Sequence, residues 1–179
     1  MSHLEVAVFD FDGTLVDSDD ALIAPFLALG IDRSRISLGR LLVDECAALG
    51  VTVEDYVAHY DLTASQPFPG VDELLVVLDR WGVCSNKLHD AGVSELARLG
   101  WAPTAQAFTR GEPKSLVPVL ADLGVAGDEV LYVGDTDHDR HCAREVGATF
   151  ALAGWNPRVV PVDGDLVLQE PGEVLDLLG

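Results

Sequence analysis

Cysteine, lysine and long apolar runs are all scarce in this 179-residue chain, and each scarcity excludes something. Its three cysteines, Cys46, Cys84 and Cys142, are odd in number and far apart, with no CxxC or Cys/His spacing. That pattern argues against a disulfide framework or a structural zinc site and fits a reducing compartment. No apolar run approaches the ~18 residues a membrane span requires. The opening MSHLEV lacks a basic stretch leading into an apolar one, so neither export nor membrane insertion is expected and the cytoplasm is the expected location. Basic residues number 11 against 30 acids, a formal charge of −19. A surface of that sign repels phosphate backbones and anionic membranes, so nucleic acid and membrane are not expected partners. Only two residues are lysine, Lys87 and Lys114.

What is present reads as a folded α/β protein. Hydrophobic residues make up 49% of the chain and charged residues 23%, and no repeat or low-complexity linker interrupts it. Short apolar runs at 6–9 (VAVF) and 130–133 (VLYV), with a weaker one at 81–84 (WGVC), have the length and composition of strands buried on both faces. Helical spacing occupies about 70–80, 88–99, 114–123, 137–146 and 171–178, several of these ending at glycine. The alternation predicts a doubly wound, Rossmann-like, mostly parallel sheet. It breaks between 15 and 69, where Leu22/Ile23/Phe26/Leu27, Leu41/Leu42/Cys46/Leu49 and Val53/Val57/Tyr60 suit helices and no convincing strand intervenes. Thr52 and Asp55 mark a capping box there. The expected division is therefore an α/β core of residues 1–14 and 70–179 with a small helical insertion at 15–69.

Ligands of open parallel sheets bind beyond the carboxyl ends of the strands. Three apolar runs end in chemistry: Asp10-Phe11-Asp12-Gly13-Thr14, Ser85-Asn86-Lys87, and Gly134-Asp135-Thr136-Asp137-His138-Asp139. Residues two apart on an extended chain point the same way, so Asp10 and Asp12 face one site while Phe9 and Phe11 face the core. Carboxylates that close are tolerated if a cation sits between them or one is protonated, and Asp135 would complete a hard oxygen set suited to Mg²⁺. Asp17, Ser18, Asp19 and Asp20 read instead as a helix cap and first turn, where negative charge is favourable by about 0.3–1 kcal/mol. Thr136-x-x-Asp139 is a capping box that explains Asp139 structurally, and metal support is the other reading; both roles fit one residue. A calcium loop starting at Asp135 is excluded by Arg140 and Val146, which stand where that loop needs Gly and Glu. Lys114, opening a helix, is the natural counter-charge for such a cluster holding phosphate. Lys87, one residue beyond the polar pair, reads as peripheral.

Four stretches, DFDGTLVDS at 10–18, Ser85-Asn86, Lys114 and GDTDHD at 134–139, resemble in order the four motifs of haloacid dehalogenase superfamily phosphatases. The chain is most similar to the phosphoglycolate phosphatase-like branch, with a reduced helical cap. The resemblance implies Asp10 as nucleophile, Asp12 as acid and then base, and Mg²⁺ held by Asp10, Asp135 and the backbone carbonyl of Asp12. It further implies that Ser85, Asn86 and Lys114 bind the phosphoryl oxygens, that Lys114 also serves catalysis, and that Asp139 supports the metal's water shell. The substrate would be a small phosphorylated metabolite, and monomer and dimer both remain open. Three departures from the family pattern are Pro113 preceding Lys114 where proline usually follows, a strand before Ser85 squeezed into Arg80 to Cys84, and the reduced cap region. Arg33, Arg35 and Arg40 cluster in the cap region, where one of them could anchor a second anionic group. A sugar phosphomutase on the same scaffold and a non-catalytic binding or regulatory module are the alternatives. The absence of lysine between Asp12 and Lys87 disfavours a Schiff-base phosphonate hydrolase.

Overall fold

The computed structural model describes residues 3–179. Strand β1 (Val6–Phe9) forms the centre of the architecture, with every residue fully buried. Its side chains alternate between two apolar clusters. Ala7 and Phe9 join one with Leu74, Trp81, Leu96 and Val174, while Val6 and Val8 join the other with Val119, Leu120, Tyr132 and Cys142. A strand covered on both faces has no reason to alternate polar and apolar residues, which is why VAVF is apolar throughout.

Among the described residues, seven further strands and seven α-helices follow. They are β2 (Val16–Asp17), α1 (Asp19–Ala28), α2 (Leu42–Leu49), α3 (Val53–Ala58), β3 (Gln66–Pro67), α4 (Val71–Val77) and β4 (Trp81–Leu88), then α5 (His89–Leu99), β5 (Ala105–Thr109), α6 (Val117–Leu123), β6 (Val130–Gly134), α7 (Asp137–Val146), β7 (Thr149–Ala153) and β8 (Leu166–Leu168). Six strands make one sheet in the order β5-β4-β1-β6-β7-β8, and every pairing in it is parallel. Helices α4 and α5 cover one face and α6 and α7 the other. The chain runs outward from β1 through β4 to β5 and, in its second half, outward through β6 to β8. The reversal places a crevice at the carboxyl ends of β1, β4 and β6.

Sequence and structure differ at several elements. Strand β4 is not short: it runs on through Ser85, Asn86 and Lys87 to Leu88. Its pairing with β5 slips between Ser85 and Leu88, an irregularity that frees Asn86 and Lys87 from regular register. Strands β5 (AQAFT) and β7 (TFALA) carry alanine and polar residues that weaken the strand signal, and their burial comes from neighbours rather than from their own composition. The interval 15–69 contains strand after all, because β2 and β3 pair antiparallel, Val16 with Pro67 and Asp17 with Gln66. These two-residue strands flank a helical segment whose own cluster gathers Ile23, Phe26, Ile36, Cys46, Leu49 and Tyr56. Residues 171–176 form a 3-10 helix rather than an α-helix.

Close packing of α5 on the sheet explains Gly92. A Cβ there would meet the Phe108 ring at 2.5 Å, and Phe108 stacks edge-on against Phe11 with ring centroids 5.8 Å apart. Alanine gains up to about 1 kcal/mol over glycine in a helix interior. Overpacking a rigid aromatic costs about 1–3 kcal/mol, so the steric effect wins. Gly92→Ala is expected to lower the thermal midpoint; an unchanged or raised midpoint in scanning calorimetry would show that Phe108 has room to move.

Candidate active site

The alternation of β1 persists beyond its end. Phe11 continues the face of Ala7 and Phe9, packing against Phe108 and Trp101, while Asp10 and Asp12 both line the crevice. Asp10 remains tied to the sheet by its N–H, which donates to the Val133 carbonyl at 2.9 Å. The chain then turns: the amides of Leu15 and Val16 return to the Phe11 carbonyl, and Gly13 adopts φ +80°. Glycine is required there twice over, because a Cβ would also lie 2.2 Å from an Asp135 carboxylate oxygen. Asn156 Nδ2 donates to the Gly13 carbonyl at 2.8 Å and Trp155 Nε1 to that of Thr14 at 2.9 Å, so a loop 140 residues downstream in sequence holds the turn. Neither residue is singled out by any motif.

Asp10, Asp135 and Asp139 place carboxylate oxygens within 4.8 Å of one another. Lys114 is the charge between them, with Nζ 3.2 Å from Asp10 Oδ2 and 2.5 Å from Asp139 Oδ1. Asp139 caps α7 as the sequence suggests, and it also pairs with Lys114. Its Oδ2 accepts the Thr136 amide at 2.9 Å and hydroxyl at 2.6 Å, closing the capping box of α7, while Oδ1 takes Lys114 and the Tyr132 hydroxyl. Asn86 Oδ1 accepts the Lys114 backbone N–H at 2.8 Å, tying β4 to the segment ahead of α6. Ser85 is buried beside Asp10.

Electrostatics divides these carboxyls. Burial pushes Asp10 up to about 7, against the pull of Lys114. Burial, then repulsion from Asp10 and Asp139, pushes Asp135 up to about 8. Burial alone would raise Asp139 as well, but Lys114 and the Thr136 and Tyr132 hydrogen bonds more than offset it and hold the carboxyl below its usual range. Asp10 Oδ1 is buried without a hydrogen-bond partner. One lysine for three crowded carboxyls, a partnerless buried oxygen and an all-oxygen donor set together fit a hard divalent cation.

The carboxylate of Asp12 lies elsewhere, with Oδ1 3.0 Å and Oδ2 3.3 Å from Lys87 Nζ. Lys87 is thus not peripheral. Its side chain is 3% exposed and also meets Glu95 Oε1 at 3.0 Å and the Tyr60 hydroxyl at 2.9 Å. The irregular register of β4 turns it inward, which no feature of the SNK stretch foretold. Glu95, fully buried on α5, was concealed within an ordinary helical pattern.

A cavity of about 500 Å³ joins this floor to the helical segment. Leu22, Phe26, Leu38, Leu42 and Val57 line its far side. Of the three clustered arginines, Arg40 lines it, 3.8 Å from Glu45, whereas Arg33 and Arg35 sit exposed on a 3-10 turn. Ser18 precedes α1 without a side-chain cap hydrogen bond; Asp17 ends β2, Asp19 opens the first turn of α1, and both take Arg158, each at 2.6 Å, from the loop after β7. Tyr56 donates to the Leu22 carbonyl at 2.9 Å within the helical segment, and exposed His59 bonds the Asp55 carbonyl.

Sequence relatives and similar folds place the chain among known proteins. The chain matches an N-acetylmuramic acid 6-phosphate phosphatase from Pseudomonas aeruginosa at 24% identity, covering 98% of this chain and 95% of that protein. It matches a phosphoglycolate phosphatase from Aquifex aeolicus at 28%, covering 98% and 97%. A haloacid dehalogenase-like family hydrolase from Streptococcus pneumoniae shares the fold with a TM-score of 0.81 at 23% identity, covering 98% of this chain and 99% of that one. The profile of the haloacid dehalogenase-like hydrolases matches residues 36–153. The chain belongs to the haloacid dehalogenase-like hydrolases, an enzyme family.

Proposed function

We propose that this chain is a Mg²⁺-dependent phosphatase that hydrolyses a small phosphorylated metabolite through a phosphoryl group carried on Asp10. The observation that carries the reading is the meeting of Asp10, Asp135 and Asp139 around Lys114 at the mouth of the sheet. That the Pseudomonas and Aquifex relatives are named phosphatases acting on such metabolites supports it.

Asp10, Asp135 and the backbone carbonyl of Asp12 would hold the cation. When bound, it supplies positive charge against the phosphoryl oxygens and the nucleophile. A carboxylate oxygen of Asp10 attacks phosphorus in line as the bond to the leaving oxygen breaks, and Asp12 hands that oxygen a proton, releasing an alcohol. Asp12, now ionised, takes a proton from water, whose oxygen attacks phosphorus and frees Asp10 and inorganic phosphate. Lys114, Ser85 and Asn86 steady the phosphoryl oxygens throughout. Helices α1 to α3 act as a cap of residues 15–69 over a core of 1–14 and 70–179. Their apolar wall excludes water and contacts the carbon skeleton of the substrate.

Two outcomes test this reading. Asp10→Asn is expected to reduce turnover of p-nitrophenyl phosphate below about one-thousandth while circular dichroism stays unchanged; turnover near the parent rate would refute the nucleophile. The second test concerns the cation. Because Asp10 and Asp135 hold their protons more tightly when folded, stability without metal is fully present below the unfolded value of 3.8 and is lost as pH rises through about 7 to 8. A cation replaces those protons, so MgCl₂ is expected to raise the thermal midpoint more at pH 8 than at pH 5. Equal shifts at both pH values in differential scanning fluorimetry would count against a metal at these carboxyls.

A further inference from the structure

We infer that Lys87 is the positioning residue that holds the Asp12 carboxylate away from the Asp10/Asp135/Asp139 cluster and aims it at the leaving group, and that Tyr60 and Glu95 in turn fix Lys87. The inference rests on the phosphatase reading and extends it to a residue that none of the chain's motifs assigns.

An ammonium has three N–H donors. Those of Lys87 are matched by three partners on three different segments: Asp12 after β1 at 3.0 Å, Glu95 on α5 at 3.0 Å, and Tyr60 just past α3 at 2.9 Å. The partners are themselves held. The Tyr60 hydroxyl donates to Glu95 Oε1 at 2.7 Å, and Ser65 donates to Glu95 Oε2 at 2.9 Å. The rings of Tyr60 and Phe11 lie 5.1 and 5.5 Å from Nζ, walling it from water. A lysine so enclosed is neither a solvated surface charge nor an apolar filler, because removing it strands the fully buried Glu95.

The consequence falls on Asp12. It follows Asp10 by two residues, and without a competing attraction its carboxylate would be drawn to any cation held by the cluster. Lys87 supplies that attraction and engages both oxygens, holding Asp12 toward the helical segment that carries Tyr60 and away from the carboxyl cluster. Tyr60 belongs to the helical segment, so the set is complete only while that segment is seated on the sheet.

A leaving-group acid matters when the departing oxygen is basic and little when it is not. The test therefore compares an alkyl ester, glycerol 2-phosphate, with p-nitrophenyl phosphate, whose leaving group departs without a proton. For Lys87→Met, kcat/KM on the alkyl ester is expected to fall about a hundredfold, and on the aryl ester at least tenfold less. Lys87→Arg, which retains charge and donors, is expected to restore part of the alkyl activity. Tyr60→Phe removes one hydroxyl and is expected to show the same alkyl-selective loss on a smaller scale, which keeps the test decisive if Lys87→Met does not fold. Equal losses on both esters, or no recovery with arginine, would overturn the assignment. If the parent protein hydrolyses neither ester, or Asp10→Asn remains active, the phosphatase reading itself falls; if those controls behave and the ester ratio does not move, only the role of Lys87 does.

Discussion

Crowding of like charge at the carboxyl ends of β1 and β6 is the constraint on which the rest of the structure depends. Three carboxyls within 4.8 Å, two of them raised to about 7 and 8, are costly to bury, and a single ammonium, Lys114, is set against them. The cost is met by rigid parts rather than flexible ones. Asp10 hangs from a strand buried on both faces, Asp139 is locked into a helix cap, and Gly13 lets the turn pass where any side chain would strike Asp135. A site so arranged is preorganised to accept positive charge.

Charge is sorted into two poles. Around Lys114 gather the carboxyls suited to a cation; around Lys87 gather Asp12 and Glu95. Burial alone would lower the value of both lysines, yet both are raised, because Asp10 and Asp139 surround one and Asp12, Tyr60 and Glu95 the other. In a chain with only two lysines, both are buried at the same crevice. The separation keeps two aspartates two residues apart in sequence in different surroundings, one in the carboxyl cluster and the other paired with Lys87.

The helical segment is joined to the sheet by polar contacts as well as by its two-stranded neck. Arg158 reaches Asp17 and Asp19 at the start of α1, and Tyr60 reaches Lys87 and Glu95 on the opposite side. Between these contacts lies the cavity, with charged groups at its floor and aliphatic and aromatic groups above. Such a division suits a ligand with one polar end and a carbon body.

Much of this was legible in the chain. VAVF and VLYV declared themselves as doubly buried strands because a strand covered on both faces must be apolar throughout, and spacing by two put Asp10 and Asp12 on one side. Local chemistry, with Thr136 capping Asp139 and Thr52 capping Asp55, was equally plain. Strands β5 and β7 were hidden, since alanine-rich segments become strands only when neighbours bury them. The sequence by itself therefore determined the sheet's centre, the acids at its strand ends and the caps of its helices, all of which depend on residues close together in the chain. Only the tertiary structure decided that Lys87 belongs to the site, that Glu95 and Tyr60 hold it, and that Asn156 and Arg158 brace loops some 140 residues away, because those contacts arise where separate elements meet and leave no periodic trace in any one of them.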